Sequence, residues 1–508
     1  MLLGTKGGGA KGAEPDETTP IVSGTIEGGY ASIIASDSLI APGTTYQDAL
    51  DMQRLGKKQE FQRNFAFVST LGWISIYMAT WEFVLVSLAL GLWNGGFAGL
   101  FWTFLCTVIA YAAVIASLAE MASMAPTAGG QYHWVSEFAP AVCQKFLSYS
   151  AGWMSTLGWL ASAASGLVVA AALVQSLVEI GNLDFAFPAW HYTLISLGLL
   201  GLTVAINTWG AGGLPMLETM SLFWHFLGFL ITIIPLWVLC PKNSAQEVFT
   251  SVVNNSGYEN TGLACMIGQV AVIYCNFGCD SVVHISEEVS NASVVIPKVM
   301  WWSYILNAFL GIAMLITMLF CIGTLDQTLD SDVPYLQLFL NSGSPFLAYF
   351  LISILFMEAK RHVPFNAVYA TAICVAIMLL INLGSSYAFN LILSLSLLAL
   401  MSTYMLSIGC LVLKRLRNEP LPPARWSLGR WGLPLNVFAF FYSALVLVMA
   451  CLPVGLPVNM RTANYAPLIW IGVIVLSVFS YFIHGRKHFT PPVAFVEGRR
   501  TGSLQSTT

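Results

Sequence analysis

Ionisable side chains fall inside long apolar runs, among them Glu82, Glu120, Glu218, His225, Asp280 and His284. A charge at the centre of a membrane helix costs about 2.5–3.5 kcal/mol even on the lenient insertion scale, so each is a functional candidate by default. Glu120 and Glu218 stand near the predicted inner ends of their runs, where water or a structural hydrogen bond accounts for them equally well. Glu82 and Asp280 lie deeper, and each follows a stretch of weak helix. The first reads Gly72-Trp73-Ile74-Ser75-Ile76-Tyr77-Met78-Ala79-Thr80-Trp81-Glu82, the second Tyr274-Cys275-Asn276-Phe277-Gly278-Cys279-Asp280-Ser281. Interrupted helices expose carbonyls and N–H groups that hold a polar solute near the bilayer midplane; a kinked packing helix is the plainer alternative. Tyr77, Trp81, Phe83, Tyr274 and Phe277 flank the two weak points. Aromatic faces attract a quaternary ammonium by roughly 0.5–2 kcal/mol each, and Glu82 would add a counter-charge; rings that merely pack are the alternative. The candidate binding residues are therefore Tyr77, Thr80, Trp81, Glu82, Asn276, Phe277, Gly278 and Asp280. Candidates for handling a coupled proton are Glu82, Glu218, His225 and Asp280.

The elements that must position these residues follow from composition. Of 508 residues, 57% are hydrophobic and 9% charged, and mean hydropathy is +0.73. A soluble chain carries about 25% charged residues, so this is an all-α polytopic membrane protein. A net charge of −4 offers no footprint for nucleic acid. The ten cysteines lie mostly in apolar runs and form no CxxC pair; Cys275 and Cys279, four apart, read as buried filler. No metal or cofactor is implied. The N-terminus has no apolar stretch of the kind a cleaved signal needs.

Twelve apolar runs are read as spans: Phe65–Leu92, Gly96–Met121, Phe146–Ile180, His191–Asn207, Met216–Cys240, Gly262–His284, Val299–Ile322, Pro345–Met357, Phe365–Asn382, Phe389–Leu413, Leu435–Leu452 and Ala466–Ile483. With both termini cytoplasmic, all of the 21 Lys and Arg residues except Lys242 and Arg461 fall in inside segments, as the positive-inside rule requires. Residues 1–64 form a cytoplasmic tail whose first part is expected to be disordered, with a short amphipathic helix around Ala49–Leu55. Residues 414–434 form an inside loop and 484–508 a second tail. Asn254-Asn255-Ser256 is a sequon in an outside loop, whereas the sequon Asn291-Ala292-Ser293 lies inside and should stay bare.

Ser117–Trp134, SLAEMASMAPTAGGQYHW, and Ser286–Lys298, SEEVSNASVVIPK, resemble two signatures of the amino acid–polyamine–organocation transporter superfamily, in particular its fungal branch of choline, γ-aminobutyrate and amino-acid permeases. Leu214-Pro215-Met216-Leu217-Glu218 fits the same pattern. The resemblance covers about Phe65 to Ile483. It implies a LeuT-like core over 65–413 of two inverted five-helix repeats, with spans eleven and twelve (435–483) peripheral. Substrate would sit between the unwound middles of spans one and six, walled by spans three and eight. Alternating access driven by a proton or Na⁺ is implied; the lysine that some proton-coupled relatives carry in span five is absent here. Two departures matter. The Gly-x-Gly usual in span one is reduced to Gly72 alone, with Ser75, Met78, Ala79 and Thr80 in the equivalent stretch. Span eight has only 13 residues, about 20 Å of helix against a core of roughly 30 Å, and a few tens of residues expected between Phe356-Met357 and Val363-Pro364 are missing.

The expected function is import of a small organic amine, choline first, across a fungal plasma membrane. The partners are the bilayer, the amine and a coupling ion, a proton before sodium. A γ-aminobutyrate or amino-acid permease is the alternative, exposed N–H groups binding the substrate carboxylate. A transport-impaired variant lacking part of helix eight is the alternative of another class. No HExxH, paired-Asp or Ser/His arrangement in the spans suggests an enzyme. Span eight is expected to be shortened or distorted, completed by part of Tyr335–Ser344 and by snorkelling of Lys360 and Arg361, with a gap on the cytoplasmic side.

Overall fold

The computed structural model describes residues 43–57, 59–181, 188–209, 214–330, 334–358, 365–380, 388–459 and 463–492. The first part of the N-terminal tail, together with Lys360 and Arg361, lies outside them. Eight described helices are long and apolar enough to cross a membrane, and three shorter apolar ones, Thr261–Cys275, Pro345–Leu355 and Tyr369–Leu379, stand at spans six, eight and nine. Span one, broken in two as Phe67–Met78 and Thr80–Ser87, completes the twelve. The chain turns from span one into span two at Gly96, whose φ is +62°. Span three is Gln144–Gly181, span four Ala189–Trp209, span five Leu214–Leu239, span seven Ala292–Cys321 and span ten Ala388–Leu416. Among the described residues the one β pairing is the isolated bridge Phe65–Val289.

Spans one, two, six and seven pack on one another, and spans three and ten pack together opposite them. Span eight rests on three and five, and span nine on three and four. Gly432–Cys451 and Ala466–Ser480, spans eleven and twelve, lie against span ten. Because lipid is as apolar as these side chains, specificity comes from packing and from interhelical hydrogen bonds worth about 0.6–2 kcal/mol each. Tyr304 Oη donates to Val108 O at 2.6 Å, Asn94 Nδ2 to Ala264 O at 3.0 Å and Asn436 Nδ2 to Ser117 Oγ at 2.9 Å. They tie seven to two, two to six and eleven to two.

The expected N-terminal helix is Tyr46–Arg54, capped by Thr45 with Asp48 reciprocating. It does not float on a surface: Met52 and Leu55 are buried. Span eight is 14 residues, Pro345–Glu358, with no added turn from the preceding loop. Pro334–Leu340 forms a separate short helix instead, anchored where Tyr335 Oη meets Ser176 Oγ of span three at 2.8 Å.

Candidate functional site

Both predicted weak points are breaks, made by different means. In span one the helix runs through Gly72-Trp73-Ile74 and stops at Ala79, which adopts a left-handed φ of 41° and ψ of 43°. A non-glycine residue pays roughly 1–2 kcal/mol for that conformation. Helical bonds resume at once, with Phe83 N donating to Ala79 O at 3.0 Å. In span six the helix ends at Cys275, Asn276 through Asp280 are non-helical, and a 3₁₀ turn follows over Ser281–Glu288. Gly278, at φ +91°, lies against span one: a Cβ there would sit 2.5 Å from Tyr77 Cδ1. The breaks therefore touch. Ser87 Oγ and Cys275 Sγ lie 3.1 Å apart, and Phe83 meets Tyr274 edge-on at 5.2 Å.

A cavity of about 1870 Å³ runs from these breaks to the face of the bundle that carries Lys57, Arg63 and Arg486. Tyr77, Glu82, Phe277 and Gly278 line it, as do Phe83 and Tyr274. The other candidates are placed elsewhere. Thr80 is buried against span seven, its N–H 3.4 Å from Asn307 Oδ1 and its methyl where a Cβ on Gly311 would stand. Trp81 faces span five, donating from Nε1 to His225 O at 3.2 Å and packing on Phe229. Asn276 donates to Val272 O at 2.9 Å, within its own helix. Asp280 is fully buried, its carboxylate taking the Tyr404 hydroxyl at 2.6 Å and the Gln131 amide. It thereby joins the break in span six to span ten and to the linking helix Gly130–Phe138. Glu218 stands near the start of span five, and its side chain lies outside the described residues. Glu120, on the basic face, pairs with Arg415 at 2.6 Å and accepts from Ser427 and Leu428.

Two of the proton-handling candidates meet. His225 Nδ1 and Glu82 Oε1 are 2.7 Å apart, with the imidazole fully buried and the carboxylate at the cavity wall. The contact joins span one to span five at the break.

Several lining residues are remote in sequence from both breaks. Trp159 of span three stands edge-on to Tyr77 at 5.5 Å and to His284 at 5.2 Å. Ser165 Oγ meets Tyr274 Oη at 2.6 Å. The small residues Ser155, Gly158, Ser162, Ser165 and Gly166 along span three are the one sequence signal that could have marked this wall. The opposite wall is formed by spans eight, four and nine. Beyond Leu355, the last span-eight side chain described, the lining passes to Thr203, Val204 and Asn207 of span four and Thr371, Ala372 and Val375 of span nine.

The amino acid permease family matches residues 64–359 and 356–476, and this chain belongs to it. It is 24% identical to amino-acid permease 2 of Neurospora crassa over 531 positions, covering 94% of this chain and 95% of that one. It is 25% identical to a choline transporter of Saccharomyces cerevisiae over 469 positions, 84% and 82% of the two chains. A manganese transporter from Eremococcus coleocola, solved as a point mutant, shares the fold, with a TM-score of 0.50 at 13% identity over 85% of this chain and 98% of that one. The protein is thus an integral membrane transporter of amino acids or organic cations, with the LeuT-like arrangement of two inverted five-helix repeats. The Neurospora alignment is longer than the 508 residues of this chain while leaving some of it uncovered, so tens of the relative's positions have no counterpart here. The family match divides at 356–359, where span eight ends.

Proposed function

We propose that this chain carries a small organic cation, choline before other amines, by alternating access in a plasma membrane with both termini cytoplasmic. The observation that carries this reading is the chemistry of the cavity wall. Among the described residues that line it are two carboxylates, Glu82 and Glu288, one imidazole and many aromatic rings, but no Lys or Arg. A wall of that kind favours an ammonium by about 0.5–2 kcal/mol per engaged ring. Tyr77, Phe277 and Trp159 are the rings nearest the breaks. The basic rim at the open face marks the cytoplasm under the positive-inside rule, so this state releases substrate inward. A proton passing between Glu82 and His225 is the proposed coupling step. The relatives' names support both an amino acid and choline, which makes γ-aminobutyrate the competitor.

The short span eight favours a second statement about this chain as it stands. A 14-residue helix leaves spans four and nine lining the cavity, so substrate would not be sealed in during a cycle and transport should be weak. Uptake of labelled choline against labelled γ-aminobutyrate, with and without a proton gradient, tests the reading in transporter-deficient cells. The chain as written is compared with one carrying a family-length insertion between Phe356 and Met357. Choline uptake that rises with the insertion and with an inward proton gradient supports it; uptake of γ-aminobutyrate alone replaces choline as substrate.

A further inference from the structure

The cavity holds a carboxylate that neither the fold nor the deep site uses. Glu288 ends the 3₁₀ turn after span six and lines the mouth of the cavity at the basic face. Its backbone is held by span one, because Phe65 N donates to Glu288 O at 3.1 Å. Its neighbour Glu287 pairs with Lys57 at 2.8 Å and also accepts the Ala128 N–H. Among the described residues, the Glu288 carboxylate has no hydrogen bond or ion pair. Burial, and then the charge of Glu287, push its carboxyl above the ordinary range. Phe65, Trp73, Tyr132, Tyr149 and Phe489 line the same mouth. The stretch of span one from Phe65 to Glu82 is about 25 Å long at 1.5 Å per residue, too far for one cation to touch both carboxylates. His284 and Trp159 line the path between them.

We propose that Glu288 and the rings around it form a second station for an organic cation, filled from the deep site and emptied into the solvent at that face. The proposal rests on the reading of the deep site as one for ammonium groups. A carboxylate deep in an apolar cleft binds a cation but also detains it. A weaker site further along lets the ion leave in two small steps, the multi-site logic by which ion pathways combine binding with throughput.

Equilibrium binding of radiolabelled choline to the purified full chain in lipid nanodiscs tests it. The wild type should show two classes of site. Glu288→Gln should weaken the looser class by about tenfold and leave the tighter one alone, Glu82→Gln should do the reverse, and Glu288→Asp should keep both. A single class that Glu288→Gln leaves unchanged overturns the second station and spares the deep site. Loss of both classes in a monodisperse Glu288→Gln protein means one shared site, and overturns it as well. No choline binding by the wild type overturns the ammonium reading, and the second station with it.

Discussion

At its basic face the described residues finish one side of the transporter with a strap, whereas on the other side much of the connecting chain lies outside them. Around spans one, two, six and seven the chain between residues 43 and 65 acts as a strap. Asp48 accepts the N–H groups of Asn291 and Ala292 at the start of span seven, at 2.8 and 3.0 Å. It also faces Arg63 at 3.4 Å, with both side chains 2% exposed. Arg63 in turn donates to the carbonyls of Ser286 and Val289 beyond span six, and Arg54 donates to Met124 O at the end of span two. Around spans four, eight and nine nothing comparable is found among the described residues, and the described part of span eight ends at Glu358. The strap depends only on residues near one another at that face, so it assembles whatever the length of span eight. The opposite wall depends on the length of span eight, and no side chain can replace missing turns of helix. On the proposed reading the bundle is well ordered while its cavity does not close.

The sharpest way to break that contrast is to supply the missing length. A family-length segment between Phe356 and Met357 should raise choline uptake by at least about tenfold, because the site must be sealed before it can open to the other side. Equal uptake by both chains would show that span eight is long enough. On the finished side, Asp48→Ala should cost about 3–5 kcal/mol, because it strands the buried Arg63 charge and two helix N–H groups. Lys57→Ala, whose side chain is 27% exposed, should cost about 0–1 kcal/mol. Thermal unfolding in detergent compares the two, and equal losses would mean that the strap is no stronger than a surface contact.

Side-chain direction separates two kinds of substitution at the break in span one. In an unbroken helix Trp81 would lie one turn from Tyr77 on the same face. The left-handed Ala79 resets the phase, so Glu82 shares the cavity with Tyr77 while Trp81 faces span five. In the lengthened chain Tyr77→Ala should raise the KM for choline several-fold, with a smaller effect on a zwitterionic amino acid. Trp81→Ala should act on stability, by about 3–5 kcal/mol, as a buried ring lost against Phe229. A selective KM effect from Trp81→Ala with stability unchanged would reverse the assignment.

That phase shift also marks what the sequence could reveal. The weak points, the twelve runs and the short eighth span were legible because hydropathy, charge and glycine are local signals. Glu82 and His225 were each legible as costly residues, but their pairing was not, since spans one and five meet only through the fold. Thr80 and Asp280 were legible as polar residues beside breaks. Their direction was not, because it depends on Asn307, Gln131 and Tyr404, which lie far away in the chain. Trp159 and Glu288 lie beside legible signals, a run of small residues and a family signature, but only the fold brings either side chain to the cavity.

An effect that depends on pH is expected on the helix Gly130–Phe138, which links spans two and three. His133 there is fully buried, and neither ring nitrogen has a hydrogen-bond partner among the described residues. Burial, and then the charge of Lys57, lower its pKa from 6.5 to about 3. The folded protein thus needs the neutral ring, whereas the unfolded chain takes up a proton below about pH 6.5. The unfolded state binds more protons throughout the window from about 6.5 down to about 3, so stability is complete above that window and falls as the solution is acidified through it. The slope approaches about 1.4 kcal/mol per pH unit well inside the window, and a change from about pH 7 to about pH 5 should cost roughly 2 kcal/mol from this group. His133→Gln removes the titrating ring while keeping a polar side chain of similar reach. Its melting temperature should be lower than that of the wild type at neutral pH but should decline less on acidification to about pH 5. Parallel declines would show that His133 takes up its proton without unfolding the link. In that case the folded protein accommodates the charged ring more readily than its burial implies.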